Sequence, residues 1–239
     1  MINEQKNKEI NRMLKELYEE NASAFISLWK DCYHSKIELT NINTFGIIDP
    51  QRYDAENGIL VIGRESNGES WFNINFEDES NLFVNWLTGI CKGTVKLPSR
   101  PNMWYNIGRW LMLIENTDQN LSEIASTKSE AIKMLGTMAF TNINKIGGGN
   151  QSRKEYWNLY KKDLVVDLVV DEIEIIKPKY IILCDRYFEK ALCSRCKSYP
   201  ILRDYFDNNR LIVMPHPAAR TSKLKTLELF SAKLKKVKC

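Results

Sequence analysis

The sequence predicts an α/β protein: a three-layer α/β/α sandwich around a central, mainly parallel four-stranded sheet, with a helical N-terminal extension. Three observations carry this. Four short, mostly apolar runs read as strands, and Ile59 to Gly63 is apolar on both faces, as a strand covered by helices on either side must be. Segments with helical spacing of apolar residues separate them, and strand–helix alternation is how parallel strands are connected. The 239 residues, 44% hydrophobic, are enough to bury one core. No internal repeat, low-complexity tract or domain boundary interrupts the chain. It is read as one domain over 1–239, with a helical extension over 1–57 and an α/β core over 58–239.

The elements follow from pattern. From Asn3 to about His34, residues Ile10, Met13, Leu14, Leu17, Phe25, Leu28 and Trp29 keep an apolar helical face. Residues 35–57 are irregular, with a turn at Asp49-Pro50. The first core strand runs from Ile59 to Gly63. Helices are predicted from Leu82 to Cys91 and from Asn102 to Ile114, the second with Trp104, Ile107 and Leu111 on its stripe. A second strand, Met138 to Ile143, is followed by the glycine run Gly147-Gly148-Gly149, a tight or flexible turn. One long helix is expected from Ser152 to Ile176, stopped by Pro178. Tyr180 to Cys184 is the third strand, Phe188 to Cys196 a helix, Leu211 to Met214 the fourth strand, and Ser222 to Lys236 the terminal helix.

Composition sets limits on function. No apolar run reaches membrane-spanning length, and Met1 to Arg12 is too polar for a signal peptide. The six cysteines are scattered, which fits a reducing cytoplasm better than a disulfide frame. Cys193 and Cys196 form the one close pair, and His34 and His216 are the two histidines, so neither a metal site nor a cofactor is expected. No Gly-x-Gly-x-x-Gly phosphate loop supports a nucleotide-dependent enzyme. The formal charge of +4 decides little, but the last twenty residues carry Arg220, Lys223, Lys225, Lys233, Lys235, Lys236 and Lys238 against Glu228. Such a tail suits a polyanion, and serves solubility equally well.

The strand ends carry the chemistry-bearing residues. Gly63 closes the first strand and is followed by Arg64-Glu65-Ser66-Asn67-Gly68. Thr141-Asn142-Ile143-Asn144-Lys145 closes the second, and Met214-Pro215-His216-Pro217-Ala218-Ala219-Arg220 closes the fourth. Ligands of open α/β sheets bind beyond the carboxyl ends of the strands. In order and position these three loops resemble the motifs of the uracil-DNA glycosylase superfamily, over Ile59 to Arg220, about two-thirds of the chain.

That resemblance implies a monofunctional DNA glycosylase that acts by hydrolysis on a flipped-out uracil or 5-modified pyrimidine, in base-excision repair or in defence against phage. Glu65 would orient or deprotonate the attacking water and stabilise the cationic sugar. His216, as a neutral imidazole, would donate to the carbonyl of the departing base. Asn142 would read the base edge, with Asn67 beside carbon 5 of the pyrimidine and Trp71 or Phe72 as a platform. Arg64, Ser66, Lys145, Arg220 and Lys223 would contact DNA, Arg220 as the wedge. DNA is the implied partner of a cytoplasmic monomer that has no membrane attachment. Strict uracil enzymes carry a tyrosine where Asn67 stands, a proline at Ser66 and a serine at Ala218, so strict uracil specificity is not implied. A DNA-binding module that keeps this fold without catalysis is the alternative.

Overall fold

A computed structural model describes residues 2–33, 42–43, 45–64, 82–98, 101–145, 156–219 and 221–238. It is a mixed α/β structure with a five-stranded sheet flanked by helices. The order is β1 (Gly46–Ile47), β3 (Met138–Asn142), β2 (Ile59–Gly63), β4 (Tyr180–Leu183), β5 (Leu211–Val213). The last four are mutually parallel, while β1 pairs antiparallel with β3, Gly46 opposite Phe140. Every residue of β2 and β3 is buried, which is why β2 reads as an unbroken apolar run and β3 opens on Met138-Ala139-Phe140.

The fifth strand corrects the expected count of four. Two residues carry no legible strand pattern, and β1 exists because α1 (Ile2–Tyr33) completes it. The Asn11 carboxamide accepts from the Ile47 N–H at 2.8 Å and donates to the Ile47 carbonyl at 2.9 Å, taking the place of a neighbouring strand. This covers an edge that would otherwise invite pairing with another chain. Gly46 leaves room for that amide, since a Cβ there would lie 2.5 Å from Asn11 Oδ1.

Helix α1 is therefore part of the core rather than an appendage. Leu14, Tyr18 and Phe25 are fully buried, and Asn7 donates to the carbonyls of Pro50 and Tyr53, each at 2.9 Å. Around α3 (Asn102–Glu115) lie α5 (Ser129–Met134) and α10 (Lys223–Lys238), the latter joined by stacked Trp110 and Phe230 rings 5.5 Å apart. Gly108 permits the close approach of α3 to α5, because a Cβ there would meet the Ala131 carbonyl oxygen at 1.8 Å.

The long helix expected over 152–176 is broken. Among the described residues, α6 (Tyr156–Leu159) and α7 (Asp163–Ile176) are separate, with Lys162 extended between them. The break lets Tyr160 leave the helical path and donate its hydroxyl to Asp185 Oδ2 at 2.6 Å. Its ring also meets Phe188 edge-on, with centroids 5.2 Å apart. Three helices were not expected from the sequence: α4 (Leu121–Ser126), capped by Asn120, α5, and α9 (Pro200–Asp207), opened by Pro200 at its start. No helix among the described residues is long and apolar enough to cross a membrane.

Candidate active site

Because β2 to β5 run the same way, their carboxyl ends share one edge of the sheet. Backbone bonds hold the segments that leave them side by side. The Ile143 N–H donates to Gly63 O at 3.0 Å, Asn144 N–H to Arg64 O at 2.8 Å, Cys184 N–H to Ile62 O at 2.9 Å and Met214 N–H to Leu183 O at 2.8 Å. Strand β2 has β3 on one side and β4 on the other, so the chain order reverses across β2. A crevice opens at such a reversal, and it is the usual ligand site of open α/β sheets.

Arg64 and Asp185 meet in that crevice. Arg64 follows β2, Asp185 follows β4, and Nε of Arg64 lies 2.5 Å from Oδ2 of Asp185. Asp185 is 1% exposed, so its charge needs compensation on every side. Its Oδ1 accepts the N–H groups of Tyr187 at 2.7 Å and Phe188 at 3.2 Å, capping α8 (Arg186–Arg195). Its Oδ2 receives Tyr160 and Arg64. Asp185 was not among the expected site residues, although an aspartate between an apolar strand and a helix is a recognisable N-cap signal.

His216 lies on the loop that leaves β5 (Leu211–Val213). Its Nδ1 accepts the Ala218 N–H at 3.2 Å, and its carbonyl accepts the Ala219 N–H at 2.8 Å. An Nδ1 acceptor places the ring proton on Nε2. Burial chiefly, helped by the Arg64 cation and opposed by Asp185, pushes the imidazole down to about 4. His216 is thus neutral at pH 7, with Nε2–H as its donor. The following residue is tied from α3, where Asn106 Nδ2 donates to the Pro217 carbonyl at 2.7 Å. Arg109 supports Asn106 Oδ1 at 3.3 Å while anchoring itself to the Thr127 carbonyl at 2.7 Å. The flanking prolines and this chain of bonds define the imidazole position.

Asn142 ends β3, buried, directly opposite Gly63 in the parallel register. Any side chain at 63 would collide with it, since a Cβ there would sit 2.3 Å from Asn142 Oδ1. The glycine that closes β2 is therefore required by the asparagine that closes β3. Arg64 and His216 line one cleft with Asp185, and Lys223 stands exposed at the first residue of α10. Glu65, Ser66, Asn67, Trp71, Phe72 and Arg220 lie outside the described residues.

Lys145 corrects an expectation. Its side chain is fully buried, ion-paired with Glu172, and donates to Thr141 Oγ1 at 2.7 Å. Tyr18 donates to the same Glu172 oxygen at 2.6 Å, and the Tyr18 and Phe45 rings each lie 5.5 Å from the ammonium. A cation enclosed in this way cannot reach a DNA phosphate. Burial pushes Lys145 down, with the Glu172 carboxylate opposing, and pushes the Tyr18 phenol up. The network fastens α1 and α7 to the loop behind Asn142.

No group of three or more metal-ligating side chains occurs among the described residues. What the strand-end edge offers is a neutral histidine donor, a guanidinium held by a buried carboxylate, and a buried carboxamide. Such a set can bind an anion or stabilise negative charge that develops on a carbonyl oxygen. Compared with known protein families, curated proteins and solved structures, the chain matches none.

Proposed function

We propose that this chain is a DNA glycosylase that hydrolyses the N-glycosidic bond of a flipped-out uracil or 5-modified pyrimidine, in base-excision repair or anti-phage defence. The reading includes a three-layer arrangement of its helices and sheet, a DNA partner, a monomeric state and a cytoplasmic setting, with no cofactor required. The observation that supports it best is the state of His216: neutral, half-buried, and left with Nε2–H to donate. A cationic imidazole would lose a proton to the departing base, whereas a neutral one stabilises the developing base anion as a fixed hydrogen-bond donor.

The remaining roles build on that donor. The Arg64 guanidinium, held by Asp185, lines the same cleft as His216. Asn142, held against Gly63 at the end of β3, is the carboxamide assigned to the pyrimidine edge. Glu65, one residue beyond Arg64, supplies the carboxylate for water on the sugar side. No lysine is assigned as an imine-forming nucleophile, so the reaction ends at an abasic site without strand cleavage.

The test is excision from oligonucleotides that carry uracil or a 5-substituted pyrimidine, followed by alkali to cut at abasic sites. Strand breaks that appear only after alkali support the monofunctional assignment. DNA binding without base release from any substrate would leave the alternative, a non-catalytic module.

A further inference from the structure

We propose that the cleft between α8 and α10, continuous with His216, seats a single-stranded segment of DNA flanking the flipped nucleotide. The identity of the strand rests on the glycosylase reading above, whereas the surface itself is argued from its own residues. The cleft has a volume of about 1030 Å³ and includes Arg64, Asp185 and His216 at one end. Pockets of about 300–1,000 Å³ hold entire drug-sized ligands, so this one exceeds what a single base needs.

Helix α10 has two working faces. Leu227, Phe230 and Leu234 are buried in the core, whereas Leu229, Lys233 and Lys236, at i, i+4 and i+7, line the cleft. Leu229 is 39% exposed, a large apolar side chain with no cover, and neither lysine is ion-paired among the described residues. On the opposite lip Tyr187 is 46% exposed, with the Arg186 guanidinium stacked over its ring at 4.9 Å. The floor is β5, whose Leu211 and Val213 are half-buried. Of the two carboxylates in the lining, Asp185 is paired with Arg64, which leaves Glu189 against Arg186, Lys233 and Lys236.

Cations above an apolar floor, with an aromatic ring on the rim, match an unpaired strand. A duplex hides its flat base faces and offers phosphates and groove edges, while a single strand offers both phosphates and flat apolar base faces. The basic C-terminal residues thereby divide. Lys233 and Lys236 share a cleft with His216, while Lys223 and Lys225 lie outside its lining.

The experiment measures binding of the full chain to a short fluorescent single strand of unmodified adenine and cytosine nucleotides by anisotropy, across a salt series. The double variant Lys233→Gln/Lys236→Gln should weaken binding about tenfold or more. It should also flatten the salt slope by about 1.4, two phosphate contacts at about 0.7 each. Tyr187→Ala should weaken binding about tenfold, the loss of one stacked base. Lys128→Gln/Lys133→Gln, at the N-cap and in the last turn of α5, is the charge-matched control and should change neither. Unchanged affinity and slope in a folded Lys233→Gln/Lys236→Gln variant would overturn the proposal, as would an equal loss on a blunt duplex. Because no base is released in this assay, the two readings fail separately. Excision with cleft variants that bind normally removes the cleft, and cleft-dependent binding with no excision removes the glycosylase.

Discussion

Arg64 and Asp185 are joined across the seam between β2 and β4, Nε to Oδ2 at 2.5 Å, by residues 121 positions apart in the chain. One buried carboxylate thereby serves three elements: it orients the guanidinium after β2, starts α8, and draws Tyr160 out of the path from α6 to α7. The electrostatics of His216 depend on this pair, since Arg64 lowers its proton affinity and Asp185 opposes.

Asp185→Ala removes a helix cap and strands two partners. The cap alone is worth about 1 kcal/mol, and leaving a buried partner unpaired raises the loss to about 3 kcal/mol or more. Urea denaturation of the variant beside the parent measures it. A loss below about 0.5 kcal/mol would show that Asp185 does not hold this seam together.

Glu65→Gln and His216→Ala should each slow base excision about a hundredfold or more, the scale of losing one acid–base group or one oxyanion donor. Both should retain DNA binding. Single-turnover excision with parallel anisotropy checks this, and near-parental rates in folded variants would defeat the assigned mechanism.

The depressed histidine sets a pH signature. With His216 at about 4 when folded and near 6.5 when unfolded, the unfolded chain binds the extra proton first. His216 therefore contributes stability above pH 6.5 that declines as pH falls toward 4. Excision should likewise stay free of a histidine-dependent acid limb until pH approaches 4. Arg64→Gln removes one cause of the depression and should move the His216 titration upward, read by NMR in a chain with two histidines. A titration near 6.5 in the parent would contradict the buried, neutral imidazole.

Lys145→Met leaves Glu172 buried without its cation and should cost about 3–5 kcal/mol, whereas Lys145→Met with Glu172→Leu should recover most of that loss. Thermal or urea unfolding of the two singles and the double completes the cycle. If Lys145→Met were instead neutral for stability and flattened the salt dependence of DNA binding, the buried placement would be wrong.

Asn67 concerns substrate choice. In the glycosylase reading Asn67 stands beside carbon 5, where an asparagine would leave space that a tyrosine fills and would add a hydrogen-bonding group. A hydrophobic wall rejects one extra methyl by only about 1–3 kcal/mol, while a polar group discriminates hydroxylated substituents more strongly. Pyrimidines enlarged at carbon 5, including hydroxymethylated or glycosylated ones, should be excised at least as well as uracil. Asn67→Tyr should shift preference back toward uracil. Side-by-side excision from matched duplexes decides it, and cleavage of uracil alone by the parent would defeat the idea.

By itself the sequence determined the four parallel strands and most of the helices. Burial on both faces turns a strand such as Ile59–Gly63 into an unbroken apolar run, and one-sided burial gives α1 its stripe at Ile10, Leu14 and Phe25. It also marked the strand-end loops, because glycine, asparagine and a histidine between prolines stand out after apolar runs. Tertiary structure alone decided the rest. Strand β1 needs Asn11 from a helix 36 residues away, and the break before α7 needs Asp185, 25 residues beyond Tyr160. Lys145 reads as a surface cation until Glu172 and Tyr18, themselves 154 residues apart, enclose it. Periodicity reports how a residue sits relative to its own element, whereas the partner of a buried polar group is chosen by which elements the topology brings together.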